Sequence, residues 1–551
     1  MQFKKKYLTG WNLILLVCFG FFALFFLYPI SQIVIGSFTD SATGEFSLGA
    51  YQTFFSRRYY TNTVWNSLRV TLAATLSTAI FGSLLAYINA VIHIRGRTFL
   101  QVAMIVSVLS PPFIGAYSWI VLLGRAGIIT RAINSLFGIQ YGGIFGFSGI
   151  LLVFTVRLSP LIFLYVSGAM KNMDTSLIEA AESLGCHGLR KIRLIIVPLI
   201  LPTLLSAGLL VFMRSLADFG TPMLIGEGYR TLPVLIFSSF MGEVTRDYSL
   251  ASAIAVLVTV VTTLIFLVQK FIASRRNIAM NALHPIEPKK IRGWKNVLAH
   301  MYAYAFVTIA MLPTVVVLIN SFQRTTGTIF VPGFSLDSYR TAFSAMATPI
   351  MNTYRFSFAA LGVILVIGIA VSYATVRRPN VISSVLDTTT MFPYIIPGSV
   401  LGIAMLTTFN TRPILLSGTA TILIASFVIR RLPYTIRSSS AILRQMNPRV
   451  EEAAQSLGAS PPKTFTRVTL PIMFSGVMPG AIMSWMSIMS ELSASIMLFV
   501  PSTATMTIAI YTQVMRGNFG VASALASILI VSTVIALFVF FKITGRRELS
   551  L

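Results

Sequence analysis

Charged residues are scarce in this chain. Asp and Glu number 16 in 551 residues against 42 Lys and Arg, and only 11% of the residues are charged whereas 55% are hydrophobic. The mean hydropathy of +0.81 lies far above that of soluble domains. These values exclude an ordinary water-soluble fold and predict a protein whose surroundings are mostly lipid.

Residues that hold metals, nucleotides or disulfides are also few. Cys18 is predicted in a membrane span and Cys186 in a cytoplasmic loop, and the four histidines lack ligand spacing, so we expect neither a disulfide nor a metal site. No cluster of His, Cys or carboxylates predicts a catalytic residue, which disfavours a membrane enzyme. No Gly-Lys dipeptide occurs, so the chain lacks a phosphate-binding ATPase loop, and we expect it to bind no cofactor.

The net charge of +26 does not predict nucleic-acid binding. The basic residues stand at the ends of apolar runs, and there is no basic domain with interleaved aromatic residues. Anionic lipid headgroups are therefore the expected partner of these charges.

Apolar runs of about 20 residues, the length that crosses about 30 Å of hydrocarbon, recur along the whole chain. They predict an all-α polytopic membrane protein with about twelve transmembrane helices. The runs lie near 12–36, 66–92, 99–123, 146–168, 198–225, 249–271, 298–320, 354–376, 381–408, 413–436, 474–500 and 521–542. The first is longer than a cleavable signal segment, so we expect it to remain as an anchor. The basic residues near the span ends predict that both termini are cytoplasmic.

The sequence also repeats itself. "FSLGAYQTFFS" (46–56) returns as "FSLDSYRTAFS" (334–344). With six spans in each half, both halves enter the membrane in the same direction, which predicts two parallel repeats related by an axis along the membrane normal. The predicted domains are an N-terminal repeat (1–273), a cytoplasmic linker (274–297) and a C-terminal repeat (298–551).

Two polar segments lie between the fourth and fifth spans of the repeats, 273 residues apart: "EAAESLGCHGLRKIRLIIVP" (179–198) and "EAAQSLGASPPKTFTRVTLP" (452–471). Each predicts a short cytoplasmic surface helix that ends at a left-handed glycine, Gly185 or Gly458. The alternative is an ordinary interhelical loop that was duplicated with the rest of the chain. The agreement of Glu, Ala, Ala, Gly and Pro at one offset disfavours that alternative.

The starts of these two helices are also predicted. Asp174 and Asn447 are in register and are good N-caps, and Pro448 follows at the first helical position of the second copy. In the first copy Ser176 and Glu179 form an alternative capping box.

At these segments the chain resembles the permease subunits of binding-protein-dependent ABC importers. Their shared motif is Glu-Ala-Ala, three residues, Gly, nine residues, and then Ile, one residue and Leu-Pro. The matching residues are Glu179, Ala180, Ala181, Gly185, Ile195, Val197 and Pro198 in the first copy and Glu452, Ala453, Ala454, Gly458, Val468, Leu470 and Pro471 in the second. Val197 replaces the Leu of the motif, and Val468 replaces its Ile.

The resemblance implies a type I ABC importer permease fold in the bacterial inner membrane. It further implies that each polar segment is a coupling helix seated on a cytoplasmic ATPase subunit, so that one chain serves two ATPase copies, which bind ATP-Mg. An extracytoplasmic substrate-binding protein would deliver the cargo. A secondary transporter with parallel repeats is the alternative class, but it does not explain the two polar helices.

Two short stretches resemble the iron(III) branch of these importers, whose two permease halves are commonly fused: "SLADFGTP" (215–222) and "RRLPYTIRSS" (430–439). The expected function is therefore passage of iron(III) through an ATP-driven importer. Importers of phosphonates, sugar phosphates, thiamine and sulfate also resemble this branch, so these cargoes stay as alternatives.

Four ionisable residues fall inside predicted spans at matching positions. Arg157 and Arg430 lie in the fourth spans, Asp218 and Glu491 in the fifth, and each Arg precedes its acid by 61 residues. Because a bare charge in lipid is costly, we predict an Arg157–Asp218 pair and an Arg430–Glu491 pair. The alternative is that the Arg residues reach towards water and the acids line a wet pathway. In that case the acids could contact passing iron(III), and the Arg residues could contact an oxyanion.

Overall fold

The computed structural model describes residues 10–41, 43–109, 112–138, 141–241, 247–274, 284, 286–327 and 329–544. Regular structure in this part of the chain is helical apart from one hairpin, Gln323–Thr326 and Ile329–Phe334. The helices long and apolar enough to cross a membrane are Gly10–Ser37, Arg58–Val91, Phe113–Phe137, Gly146–Lys171, Gly188–Leu216, Tyr248–Val268, Trp294–Ser321, Ala347–Arg377, Pro461–Met489 and Phe519–Phe540. The main shorter or more polar helices are Gly49–Ser56, Arg97–Leu109, Thr175–Ser183, Gly220–Ile225, Leu232–Met241, Asp337–Ala345, Val381–Thr389, Gly398–Thr408, Ala420–Gln445, Arg449–Ser456, Ser495–Leu498 and Met506–Met515.

The described residues thus contain ten candidate spans, or eleven if one bent pair counts as a span, and the predicted number of twelve is not confirmed. The helix predicted at 413–436 forms at Ala420–Gln445. It carries Arg430, Arg431 and Arg437, so its composition is more polar than that of the other spans.

The third predicted span of the second repeat is interrupted rather than continuous. The predicted span 381–408 is two helices, Val381–Ile395 and Gly398–Thr408, that meet at 108°. Pro397 separates them, and a proline N cannot donate a hydrogen bond to the preceding turn. In the first repeat, the described residues of the predicted span 99–123 are helical over Arg97–Leu109 and Pro112–Leu123.

The fifth spans begin about ten residues earlier than predicted. The helix predicted at 198–225 runs over Gly188–Leu216, and the one predicted at 474–500 runs over Pro461–Met489. A π-helical turn precedes Pro198, and another precedes Pro471. A widened turn accommodates a residue that cannot donate a backbone hydrogen bond, so the prolines lie within the helices rather than at their starts.

Close helix crossings recur at matching glycines in the two repeats. A Cβ atom on Gly82 would lie 2.7 Å from Ser159 O, and one on Gly368 would lie 2.9 Å from Thr435 Cγ2. Only a residue without a side chain permits this approach, so the second and fourth spans of each repeat cross at close range.

The compact units of the structure differ from the sequence repeats. One unit contains residues 1–51, 239–256 and 324–549, and the other contains 52–238, 257–323 and 550–551. The first helix of each repeat therefore packs with the rest of the other repeat. The boundaries 1–273 and 298–551 remain a prediction about the repeats; residues 275–283 and 285 of the predicted linker, and both chain ends, lie outside the described residues.

Candidate functional site

The two polar segments form short helices with side-chain caps at their starts. The first polar helix, Thr175–Ser183, begins after Asp174, whose Oδ1 accepts the Ser176 N–H at 3.0 Å. Asp174 is thus the N-cap, in place of the alternative capping box. The second polar helix, Arg449–Ser456, begins one residue later than predicted, so that Pro448 rather than Asn447 is its N-cap. Asn447 Oδ1 still accepts the Arg449 N–H at 3.0 Å.

Both polar helices end in the same left-handed turn. Gly185 has φ of 79° and Gly458 has φ of 87°, the conformation that glycine adopts without strain. The Cys186 N–H donates to Ala181 O at 2.9 Å, and the Ala459 N–H donates to a matching carbonyl at 3.1 Å. These bonds define a Schellman motif in each copy and satisfy the carbonyls at the helix end.

The outer faces of the two polar helices are alike. Leu184 is 88% exposed, and Leu457, 273 residues later, is 90% exposed. In these helices and their glycine ends, the other exposed residues of the motif are Glu179, Ala180, Gly185, Glu452, Ala453 and Gly458, whereas Ala181 is buried and Ala454 is half-buried. Pro198 and Pro471 are also exposed, but they lie in the helices that follow. Small residues and one projecting leucine form a surface that another backbone can approach closely.

The inner faces of the two helices differ. In the second copy Glu451 is buried and receives hydrogen bonds from Arg377 Nε at 3.3 Å, Thr469 Oγ1 at 3.0 Å and the Tyr373 hydroxyl at 3.4 Å. Arg377 also donates to Met446 O at 2.8 Å. This cluster, the Glu451 latch, fastens the second polar helix to the ends of two spans by ionic and polar contacts.

The first polar helix is held differently. Ile178 stands at the position of Glu451 and packs against the hydrophobic core. The Thr175 N–H donates to His284 O at 2.8 Å. Lys191 Nζ lies 2.5 Å from Glu182 Oε1, and this hydrogen bond and charge hold the pKa of Glu182 below its usual value.

The structure brings Arg157 and Asp218 together. Arg157 Nη1 donates to Asp218 Oδ2 at 2.7 Å, and the Thr221 N–H donates to Asp218 Oδ1 at 2.8 Å. Asp218 is buried and lies two residues beyond the end of the helix Gly188–Leu216. The pair is neutral, and both carboxylate oxygens have a donor.

In the second copy Glu491 meets two guanidinium groups. Its Oε1 pairs with Arg430 Nη1, its Oε2 pairs with Arg431 Nη2, and the Ala494 N–H also donates to Oε1 at 3.1 Å. The cluster carries two positive charges and one negative charge, so its formal charge is +1. Glu491 is buried, and a Cβ on Gly398 would lie 2.5 Å from Arg430 Nη1.

Arg431 is the residue that sequence reasoning missed. Its counterpart at the offset of 273 is Leu158, so the search for matching charges in both repeats passed over it. The adjacent arginines in "RRLPYTIRSS" were the available signal. Because arginine side chains are long, the guanidinium groups of two neighbouring residues, Arg430 and Arg431, can reach the same carboxylate of Glu491.

Metal-ligating residues are dispersed within the described parts of the chain, where no group of three His, Cys, Asp or Glu side chains could hold an ion. Cys18 and Cys186 are both free thiols.

Comparison with known proteins identifies the class. Residues 78–278 and 364–547 each match the family described as the binding-protein-dependent transport system inner membrane component. The chain belongs to this family. It is a multi-pass membrane protein of a bacterial importer in which the permease domain occurs twice, and it is a translocation subunit rather than the ATPase.

Individual relatives carry more specific names. The chain is 28% identical to the ferric transport system permease protein FbpB of Actinobacillus pleuropneumoniae over 98% of its own length and 79% of that protein. It is 23% identical to the Fe(3+)-transport system permease protein FbpB 2 of Haemophilus influenzae, over 87% of the chain and 89% of that protein. PhnU of Salmonella typhi, named for 2-aminoethylphosphonate transport, is 27% identical over 46% of the chain and 89% of its own length.

Proposed function

We propose that this permease moves iron(III), delivered by an extracytoplasmic binding protein, across the bacterial inner membrane. The observation that carries the proposal is the similarity to the FbpB permease of Actinobacillus pleuropneumoniae, which extends over 98% of the chain. The relative named for phosphonate transport covers 46% of the chain.

The proposed energy source is a pair of cytoplasmic ATPase subunits that bind ATP-Mg. Each polar helix offers the same exposed leucine, small residues and glycine end, which supports two equivalent docking positions on one chain. The assembly should therefore contain one copy of this chain and two ATPase copies, and native mass spectrometry measures this ratio. Both termini would lie on the ATPase side of the membrane.

The buried charge clusters are proposed to hold the fourth span against the end of the fifth. Both oxygens of Asp218 and both oxygens of Glu491 already accept hydrogen bonds or pair with arginine. Carboxylates engaged in this way are poorly placed to ligate a passing cation, which favours pairing over the wet-pathway alternative.

Iron transport is tested in proteoliposomes that contain the permease, its ATPase and its binding protein. We expect ATP-dependent uptake of radiolabelled iron(III), while 2-aminoethylphosphonate is not transported. If only the phosphonate were taken up, it would replace iron(III) as the proposed cargo, while the proposal of an ATP-driven importer would stand. The specific observation that favours this second candidate is the +1 charge of the Glu491 cluster, because guanidinium groups suit oxyanions.

The docking positions are tested with substitutions on the outer faces of the polar helices. In Gly185→Arg and Gly458→Arg the new side chain points into open space within this chain, since a Cβ at either position meets nothing within 4 Å. We expect each variant to recover less ATPase in a pull-down while the permease itself stays folded.

Leu184→Ser and Leu457→Ser test the same surface without backbone strain, and Leu415→Ser is a matched control at another exposed leucine. Undiminished ATPase recovery from all four variants would contradict the docking proposal.

A further inference from the structure

An apolar groove opens between the ends of two helices in one compact unit. Leu84, Ile88 and Ile92 form one wall, and the helix that begins at Trp294 forms the other with Leu298, Ala299 and Tyr302. Its volume is about 550 Å³. The Tyr302 hydroxyl donates to Phe81 O at 2.9 Å, so this ring presents its apolar face. We call this feature the linker groove because the described part of the linker runs past it.

The first helices of the two repeats differ in shape. The helix Gly10–Ser37 contains a π-helical turn at Ala23–Leu27, whereas Trp294–Ser321 is α-helical throughout.

Small side chains contribute to the lining of the groove, since Ala299 and Ala305 are among its residues.

The tryptophans that begin the two helices behave differently as well. The Trp11 ring lies 4.7 Å from Tyr373 and 5.2 Å from Phe465, centroid to centroid. Trp294 is 69% exposed at the rim of the linker groove. An exposed tryptophan at the end of a membrane span is typical of the level of the lipid headgroups.

The segment that leads to the rim is basic, and Lys295 lines the groove itself. Between residues 286 and 298 the chain carries Lys289, Lys290, Arg292 and Lys295 against one acid, Glu287, for a net charge of +3. All four basic residues are exposed. Their place is fixed in part by the backbone, because the Lys289 N–H donates to Val91 O at 2.9 Å and the His93 N–H donates to Lys289 O at 3.1 Å, beside groove residue Ile92.

We propose that the linker groove binds an anionic phospholipid. One acyl chain lies between the walls of the groove, and the headgroup phosphate lies against Lys290, Arg292 and Lys295. Lys289 contributes less, because it also acts on Glu182 of the first polar helix. Clustered basic residues beside a membrane span attract anionic headgroups, and an apolar groove at the same depth accommodates the chain of that lipid.

The test measures binding of phosphatidylglycerol and phosphatidylcholine to the delipidated full chain in detergent by native mass spectrometry. The wild type should prefer phosphatidylglycerol. Removing one basic side chain near a charged lipid surface costs about fivefold in affinity, so Lys290→Gln/Arg292→Gln/Lys295→Gln should lose on the order of a hundredfold. The matched control Arg57→Gln/Arg58→Gln/Arg516→Gln removes the same charge elsewhere and should bind as the wild type does.

A second pair of variants tests the groove itself without changing charge. Ala305→Phe fills an exposed position of the groove, and Ala299→Leu fills a buried position in its wall. Both should weaken phosphatidylglycerol binding, and Ala305→Phe should do so at an unchanged melting temperature. Soluble glycerol phosphate should not compete, because it lacks the acyl chain.

Equal binding of both lipids by the wild type would overturn the proposal, as would equal losses in the triple variant and its control. So would undiminished binding in both groove-filling variants. Competition by glycerol phosphate would reassign the basic residues to a phosphate site without a lipid chain.

Discussion

The two repeats keep the same outer surfaces but hold them with different interior chemistry. The polar helices share an Asp or Asn side chain that accepts a backbone N–H at the start, a left-handed end and an exposed leucine. Behind these surfaces, Asp218 has one arginine partner whereas Glu491 has two, and Ile178 is replaced by Glu451. The two copies have therefore kept the exposed face of the polar helix, while the residues that hold the helix from inside have changed. This is possible because different sets of interior contacts can hold a helix in the same position.

The largest difference is expected from removing the buried acids. Glu491→Gln leaves two guanidinium groups uncompensated, whereas Asp218→Asn leaves one. Breaking a buried pair costs about 3–5 kcal/mol, so we expect about 5 kcal/mol for Glu491→Gln and about 3 kcal/mol for Asp218→Asn. Thermal unfolding in detergent measures both, with the exposed Glu452→Gln as the control. Equal losses would mean that Arg431 adds nothing to the second cluster.

Compensating substitutions sharpen this difference. Arg157→Gln should restore most of the stability that Asp218→Asn loses, because the double variant buries no bare charge. Arg430→Gln should restore little to Glu491→Gln, because Arg431 remains without a carboxylate. Only the triple variant Arg430→Gln/Arg431→Gln/Glu491→Gln should recover the stability that Glu491→Gln loses. Full rescue by Arg430→Gln alone would show that Arg431 finds another partner.

The Glu451 latch is expected to give the next largest effect. Glu451→Ile alone leaves Arg377 without a carboxylate partner, so it should lower the free energy of unfolding by about 3 kcal/mol. The triple variant Arg377→Val/Glu451→Ile/Thr469→Ile copies the first repeat, where these positions are Val91, Ile178 and Ile196, and should be nearly neutral.

Hydrogen exchange of residues 449–456, together with thermal unfolding, follows the latch variants. If residues 449–456 were as protected against hydrogen exchange in Glu451→Ile as in the wild type, the latch would not hold the second polar helix.

The smallest effect concerns acid at the first polar helix. Lys191 lowers the pKa of Glu182, so its stabilising contribution is present above the ordinary glutamate value of about 4.3 and is lost as pH falls through the lowered value. Protection of residues 175–185 against hydrogen exchange should fall over this range, and Lys191→Gln should remove the pH dependence. Glu182→Gln, which copies Gln455 of the second polar helix, provides the control.

Several features follow from local sequence. The cap at Asp174 and the ends at Gly185 and Gly458 depend on residues within one turn of each helix, so their types were sufficient to predict them. The second polar helix begins one residue later than predicted, with Pro448 in place of Asn447 at its N-cap. The Arg157–Asp218 contact was predicted because a bare charge in lipid is costly and few partners exist. In contrast, the bend at Pro397 and the earlier starts of the fifth spans were missed, because hydropathy measures how apolar a run is and not whether its helix is continuous.

By itself, the sequence determined that this protein lies in a membrane, that it is duplicated, that it has two polar helices and that its intramembrane charges need partners. Each of these features depends on composition, periodicity or neighbouring residues. The tertiary structure decided that each first helix packs with the rest of the other repeat, that Arg431 joins Glu491, and that a groove opens beside the helix that begins at Trp294. These outcomes depend on which side chains meet across distant segments, and apolar surfaces of similar hydropathy can pack together in many ways until shape and charge select one.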